Sequence, residues 1–385
     1  MENKKYSLLL IALYCYSGHV KNVINHLKAN NPLVDLTLLT NKPDKMSLLL
    51  DDKSVNIVSY NVSPVKCRFG WLRHLIIKYK QIRFFANFSK NKQYDIVNVH
   101  FPNKYMSFVY QYLRKMSNNI VISPWGSDIL RKDEDYLKQL ANLYENADYI
   151  ATSKTSPLGK KIIDAFRIDT NKIVGNFFGT DIVDFAIKHG DSISQKDAKQ
   201  RFGLNGRFVI TCGYNGINHQ RHKYIIEAIE KVKDRLPDNL TLLFPMTYLK
   251  KDNYMEECQQ KCKEYNLDAV FLTEYMSIED VYKLRKSTDM FVHVQTTDAG
   301  SSTIQEYILC DKKIVHGSWL RYDELEVYKP LFYYPVDGID NLAETIVKAY
   351  HSEKIPNSQG IKDFIKSHGW DTTSSLMNEF FMSIV

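Results

Sequence analysis

Glycine and proline are scarce, 16 and 11 in 385 residues, and no stretch concentrates them enough to read as collagen-like, low-complexity or disordered. No internal repeat is visible. The longest apolar run, 8–16, falls well short of the roughly 20 residues that a spanning helix needs and carries no signal-peptide cleavage pattern, so a cytoplasmic protein is expected. The six cysteines (Cys15, Cys67, Cys212, Cys258, Cys262, Cys310) are scattered. Cys258 and Cys262 share one helix face, but no His or Cys pair stands nearby at zinc spacing, so all six read as reduced packing residues.

With 44% hydrophobic and 25% charged residues, the composition is that of a soluble globular protein too long for one ordinary core, and two or three domains are expected. The net charge of +7 is modest. No nucleic-acid-binding module accompanies the basic residues, and no nucleic-acid partner is read.

Strands alternate with amphipathic helices. An apolar strand at 5–15 leads through Gly18 and His19 into a helix with Val20, Val23, Ile24 and Leu27 on one face. Strand, glycine turn and helix open a Rossmann-like half, although a single glycine also fits an ordinary turn. Further strands are expected near 34–40, 55–60, 94–100 and 119–123, the last running into Trp125, Gly126, Ser127 and Asp128. The polar stretch 182–205 reads as a linker with a short helix at 194–202. A strand at 208–212 then restarts the pattern, followed by Gly213, Tyr214, Asn215 and Gly216 and by a basic helix start at Arg221, His222 and Lys223.

The stretch 297–315 is read as turn, short helix and strand. Ser302 and Gln305 make a capping box, with Ile304, Ile308 and Leu309 as the apolar stripe. A helix start built from Gly300, Ser301, Ser302 and Thr303 leaves N–H groups free at the positive end of the helix dipole, which suits an anion. Asp298 and Glu306 can flank the same pocket; carboxylates only accept hydrogen bonds, so they would hold sugar hydroxyls. Gly213 with Arg221 is similarly suited to a pyrophosphate, with His222 and Lys223 as fallback cations.

One segment stands apart. From 61 to 94 there are eight Lys or Arg residues (Lys66, Arg68, Arg73, Lys78, Lys80, Arg83, Lys90, Lys92) and no acid, with Trp71, Leu72, Leu75, Ile76, Tyr79 and Ile82 at helical spacing. Such a helix can lie on an anionic membrane surface through 66–92, or it can be a sheet-packing helix with a solvated basic face.

Asp298, Glu306 and the run Tyr307 to Val315 that follows resemble the Glu-x7-Glu motif of retaining nucleotide-sugar glycosyltransferases of the GT-B type, chiefly family 4. Asp311 stands where the family has a glycine, which Asp tolerates because it can adopt the left-handed conformation. Trp125 stands where many members have a His, and Asn215 where the phosphate-loop Arg is usual, so Arg221 is taken as the displaced cation. The resemblance implies an α/β protein of two Rossmann-like domains facing each other across a cleft. The expected division is an acceptor domain at 1–185, a linker at 186–206, a nucleotide-sugar domain at 207–360 and a C-terminal helix at 361–385 crossing back to the first domain.

It also implies the roles. Asp298 contacts the donor sugar and Arg221 stabilises the departing diphosphate together with the 300–303 amides. Glu306 grips the ribose, and Gly213, Asn215, Gly216, His222 and Lys223 line the donor site, with Thr273 near the base. Gly18, His19, Trp125, Ser127 and Asp128 lie on the acceptor side, where Trp125 offers a sugar ring an apolar face. The implied activity is transfer of a hexosyl group from a nucleoside diphosphate sugar to a saccharide, lipid-linked, in bacterial surface-polysaccharide assembly. No cofactor or metal is needed if those groups carry the neutralisation. A peripheral place at the inner face of the membrane goes with the first reading of 66–92. Two alternatives stay open: a sugar-nucleotide epimerase of the same fold, and a non-catalytic transferase-like partner subunit.

Overall fold

The computed structural model describes residues 4–13, 15, 17–62, 68–247, 253–298, 300–328, 333–353 and 356–385; Lys66 and Cys67 lie outside them. The chain forms two units, Met1–Gly179 with Trp370–Val385, and Thr180–Gly369.

The first unit is a parallel sheet of β1 (Ser7–Ala12), β2 (Asp35–Thr40), β3 (Asn56–Ser59), β4 (Ile96–His100), β5 (Asn119–Ser123) and β6 (Tyr149–Ile150), in the order β3-β2-β1-β4-β5-β6. The second repeats the plan with β7 (Phe208–Cys212), β8 (Leu240–Pro245), β9 (Ala269–Leu272), β10 (Met290–His293), β11 (Lys313–Gly317) and β12 (Tyr333–Val336), in the order β12-β11-β10-β7-β8-β9. Helices cover both faces, which is why the central strands are apolar without interruption. In β1, Leu9 and Ile11 enter one core cluster with Val97, Val99 and Ile122. Leu8, Leu10 and Ala12 enter the other with Leu36, Leu38 and Val121, as the two-residue period of a strand requires.

The chain changes unit at Gly179 and Gly369, and the stretch expected as a linker lies within the second unit. It carries the end of the helix Asp181–His189 and the helix Gln195–Arg201, which Ser194 caps by accepting from the Asp197 N–H. The final helix, Trp370–Ser383, packs within the first unit: Trp370, Met377 and Phe381 join its core, and the Trp370 ring stacks on His26 at 5.1 Å. The five described cysteines are all buried and unbridged.

Candidate functional site

In both sheets the direction of winding reverses between two central strands, β1 and β4 in the first, β7 and β10 in the second. In sheets of this kind the loops that leave such a pair diverge beyond the carboxyl ends of the strands, and ligands bind in the crevice between them. In the second unit, Val292 of β10 lies beside Cys212 of β7, so the loops starting at Gly213 and Val294 begin side by side. The Gly213 N–H donates to Val292 O at 3.0 Å. Farther out, Gln220 Nε2 donates to Gln295 Oε1 at 2.9 Å and the Thr296 N–H to His219 O at 3.1 Å. Chain positions some eighty residues apart are thereby assembled into one wall.

Asp298 is held from several sides. Its Oδ1 accepts the Ser301 N–H at 3.0 Å, and its Oδ2 accepts from Tyr322 Oη at 2.6 Å and lies 3.0 Å from His293 Nε2. The cap of the next helix, Ser302–Leu309, differs from the expected box. Ser301 is the N-cap, with Oγ accepting from the Thr303 N–H, and Gln305 Oε1 lies 2.8 Å from His368 Nδ1. The capping residue thus sits one position earlier, where the Asp298 carboxylate fixes its amide. Of the four amides assigned to an anion, those of Ser301 and Thr303 are spent inside the turn.

Glu306, only 4% exposed, accepts from Arg285 Nε at 2.9 Å through Oε2 and from Thr180 Oγ1 at 3.4 Å through Oε1. Arg285 in turn lies 4.9 Å from the Tyr307 ring centroid. The two acids therefore differ in kind: Asp298 is a hinge pin of the loop, and Glu306 is half of a buried ion pair.

The basic helix start also sorts itself. Arg221, in the left-handed conformation (φ 61°), stands just ahead of the helix His222–Glu230 and lies over the Trp319 ring at 5.2 Å, while Trp319 Nε1 donates to Gln295 O at 2.7 Å. Trp319 thereby links Arg221 to Gln295, just beyond β10. The fallback cations do not serve. His222 is fully buried between Phe244 and Tyr254, and burial drives its pKa down to about 3, so it is neutral. Lys223 pairs with Glu257 on the neighbouring helix. Asn215 is buried, and its Oδ1 accepts the Ile217 N–H at 3.2 Å, shaping the turn beside the equally buried Gly216. Thr273 follows the edge strand β9, two strands from β7.

In the first unit, the corresponding loops gather rings. Trp125 Nε1 donates to His100 Nδ1 at 3.3 Å, and the Trp125 ring meets His19 at 5.3 Å and Phe178 at 5.3 Å edge-on. Gly18 lies beside His19 in the first turn of the helix Ser17–Asn30. Asp128 is 1% exposed; its Oδ1 accepts the Trp125 N–H at 3.0 Å, and burial raises its pKa to about 6 against the pull of backbone N–H groups. Half-buried Ser127 stands between them in this turn. Asp133-Glu134-Asp135, which has Asp-x-Asp spacing, is a helix start: Asp133 caps it by accepting the Tyr136 N–H.

Sequence reasoning missed Arg285, His293, Tyr322, Trp319, His100 and Phe178. His293 and His100 had a signal, since each ends a switch-point strand. Arg285 had none, because nothing local sets which carboxylate a helical arginine meets.

Residues 8–154 match the family model described as Glycosyl transferase 4-like. No curated relative matches the chain. Among solved structures, it is similar to Anabaena Alr3699/HepE in complex with UDP and glucose, at 15% identity over 99% of this chain and 100% of that one, with a TM-score of 0.71. A glycosyltransferase from Rickettsia africae ESF-5 is similar at 13% identity over 99% and 98%, with a TM-score of 0.71. The lipopolysaccharide outer core galactosyltransferase WaaB is similar at 15% identity over 98% and 100%, with a TM-score of 0.67. The family match is confined to the first half of the chain, while the architecture along its whole length is the GT-B fold of these similar structures.

Proposed function

We propose that this protein transfers a hexosyl group from a nucleoside diphosphate sugar to a hydroxyl of a lipid-linked saccharide during surface-polysaccharide assembly, with retention at the anomeric carbon. The observation that carries the reading is the second unit's switch-point wall, in which Gly213, the 294–301 loop and Arg221 meet. The Gly300 and Ser302 amides, at the positive end of the helix Ser302–Leu309, and the Arg221 guanidinium take up the charge that builds on the leaving diphosphate. That neutralisation needs no metal ion. Glu306 receives the ribose, steered by Arg285, and Asp298 sets the loop against which the sugar lies. On the first unit, Trp125 and His19 offer the acceptor ring an apolar wall. Retention follows from the family resemblance. The UDP bound to the similar HepE makes a UDP-sugar the first donor to try, and WaaB, a lipopolysaccharide outer core galactosyltransferase, suggests the acceptor class proposed.

Screening UDP, GDP and dTDP sugars for thermal stabilisation tests the donor site: a ligand at a hundred times its dissociation constant raises stability by about 2.7 kcal/mol. The reading requires one base to stabilise the protein and Glu306→Gln to weaken that binder; equal affinity in the variant removes it. Unchanged turnover in chelator tests the metal-free scheme.

A second reading, a non-catalytic partner subunit, is favoured by one observation: the Asp298 and Glu306 carboxylates are both engaged by the protein itself. Release of nucleoside diphosphate by the purified chain with donor and acceptor excludes it.

A further inference from the structure

The helix Gly70–Phe88 is fully buried toward one end only, although His74 Nδ1 lies 2.5 Å from Tyr105 Oη nearer its start. Its buried side chains, Gln81, Phe85 and Phe88, all lie in its second half, where Phe85 and Phe88 join the first unit's core. In the first half Leu72, Ile76 and Ile77 are half-buried, but one apolar side faces outward: Trp71 is 66% exposed, Leu75 54% and Tyr79 63%, with Phe69 just ahead of the helix at 59%. Positions 71, 75 and 79 are each one turn apart, so the three side chains form a stripe along one side of the helix. Single exposed apolar residues are ordinary on a protein surface; an outward stripe of three at helical spacing, two of them aromatic, marks a place where something docks.

The charges identify the occupant. Arg73, Lys80 and Arg83 are exposed on the same helix, and 61–94 contains no carboxylate. Lys78, by contrast, lies over the Phe108 ring at 3.8 Å and is turned toward the protein. An acid-free helix with a Trp/Tyr stripe and flanking cations complements an apolar layer beneath a sheet of negative charge, which is the profile of an anionic bilayer. Among the described residues no helix is long and apolar enough to cross a membrane, so the contact is peripheral.

We propose that the first half of the helix Gly70–Phe88 is this protein's membrane-docking element: Trp71, Leu75 and Tyr79 enter the headgroup boundary of an anionic bilayer while Arg73, Lys80 and Arg83 meet lipid phosphates. This deepens, and rests on, the reading of a lipid-linked acceptor.

Sedimentation of the full chain with vesicles tests it, using phosphatidylcholine alone and phosphatidylcholine with phosphatidylglycerol in equal parts. The chain is expected to sediment with the anionic vesicles only, with a blue shift in tryptophan emission, and to be released by high salt. Two triple variants, Trp71→Ser/Leu75→Ser/Tyr79→Ser and Arg73→Gln/Lys80→Gln/Arg83→Gln, should each lose roughly tenfold or more in vesicle affinity. Nucleotide-induced thermal stabilisation should match the unmodified chain in both, which shows that they fold and keeps this test separate from that of the donor site. The proposal is overturned if the unmodified chain stays in the supernatant, if the apolar triple variant binds vesicles equally well, or if that variant instead converts a dimer to a monomer without lipid.

Discussion

The Tyr322 hydroxyl donates to Asp298 Oδ2 at 2.6 Å, and Tyr322 itself is buried. Asp298 therefore ties the loop ahead of the helix Ser302–Leu309 to Tyr322 through Oδ2, which His293 Nε2 also reaches, while its Oδ1 accepts the Ser301 N–H. A hydrogen bond to a buried charged group contributes roughly 1.5–3 kcal/mol. Tyr322→Phe is accordingly expected to lower the midpoint of thermal unfolding and, because the loop loosens, to raise the donor KM more than it lowers kcat. Steady-state kinetics beside a melting curve checks both; an unchanged KM would reduce Tyr322 to a packing residue.

Glu306 and Arg285 give a different outcome for two substitutions of one residue. Glu306→Ala leaves a buried guanidinium without its partner, which costs roughly 3–5 kcal/mol, so this variant is expected to be destabilised as well as inactive. Glu306→Gln keeps an acceptor for Arg285 Nε and should fold while losing donor affinity. Comparing denaturant midpoints of the two decides whether the pair is organised as described.

Two glycines in the left-handed region should respond unequally. Gly213 (φ 61°) is also crowded: a Cβ there would lie 2.7 Å from Gln220 Oε1 and 2.8 Å from His222 Nε2. Gly300 (φ 97°) has nothing within 4 Å of that point. Gly300→Ala should cost about 1–2 kcal/mol from backbone conformation alone. Gly213→Ala should cost clearly more and also weaken nucleotide binding, since Gln220 and Gln295 form the wall. Chemical denaturation of both variants is the check.

Stability should fall in acid. Burial lowers His100, His222 and His316 from 6.5 to about 3 each, so the unfolded chain binds more protons than the folded one between those values. Their contribution is complete above 6.5 and is lost as pH drops toward 3. Asp128 runs the other way: raised from 3.8 to about 6, its contribution is complete below 3.8 and is lost as pH climbs through 6. Asp128→Asn should therefore gain stability over the unmodified chain as pH rises across that window, by an amount on the order of 3 kcal/mol, and the gain should level off above it. Melting curves from acid to neutral pH test both signs.

Much of the scaffold was legible because local chemistry dictates it. Doubly buried strands must be unbroken apolar runs, as Leu8 to Ala12 and Met290 to Val292 are. A helix needs an N-cap, and Ser277 caps the helix Ile278–Ser287 by accepting the Asp280 N–H. A left-handed residue must end the helix before β11, and Asp311 adopts φ 52° in place of glycine. Two adjacent serines were harder: Ser301 and Ser302 are equally fit to cap, and only the Asp298 carboxylate on the Ser301 amide separates them.

By itself, then, the sequence determined the elements, their turns and the residue types at the candidate site, since each depends on neighbours a few positions away. Tertiary structure decided the rest. Strand order brings Gly213 beside the 294–301 loop, burial makes His222 neutral, Arg285 claims Glu306, and the core takes the second half of the helix Gly70–Phe88 and leaves Trp71, Leu75 and Tyr79 outside. Each of these joins or separates groups by where distant elements pack, and no periodicity along the chain encodes that.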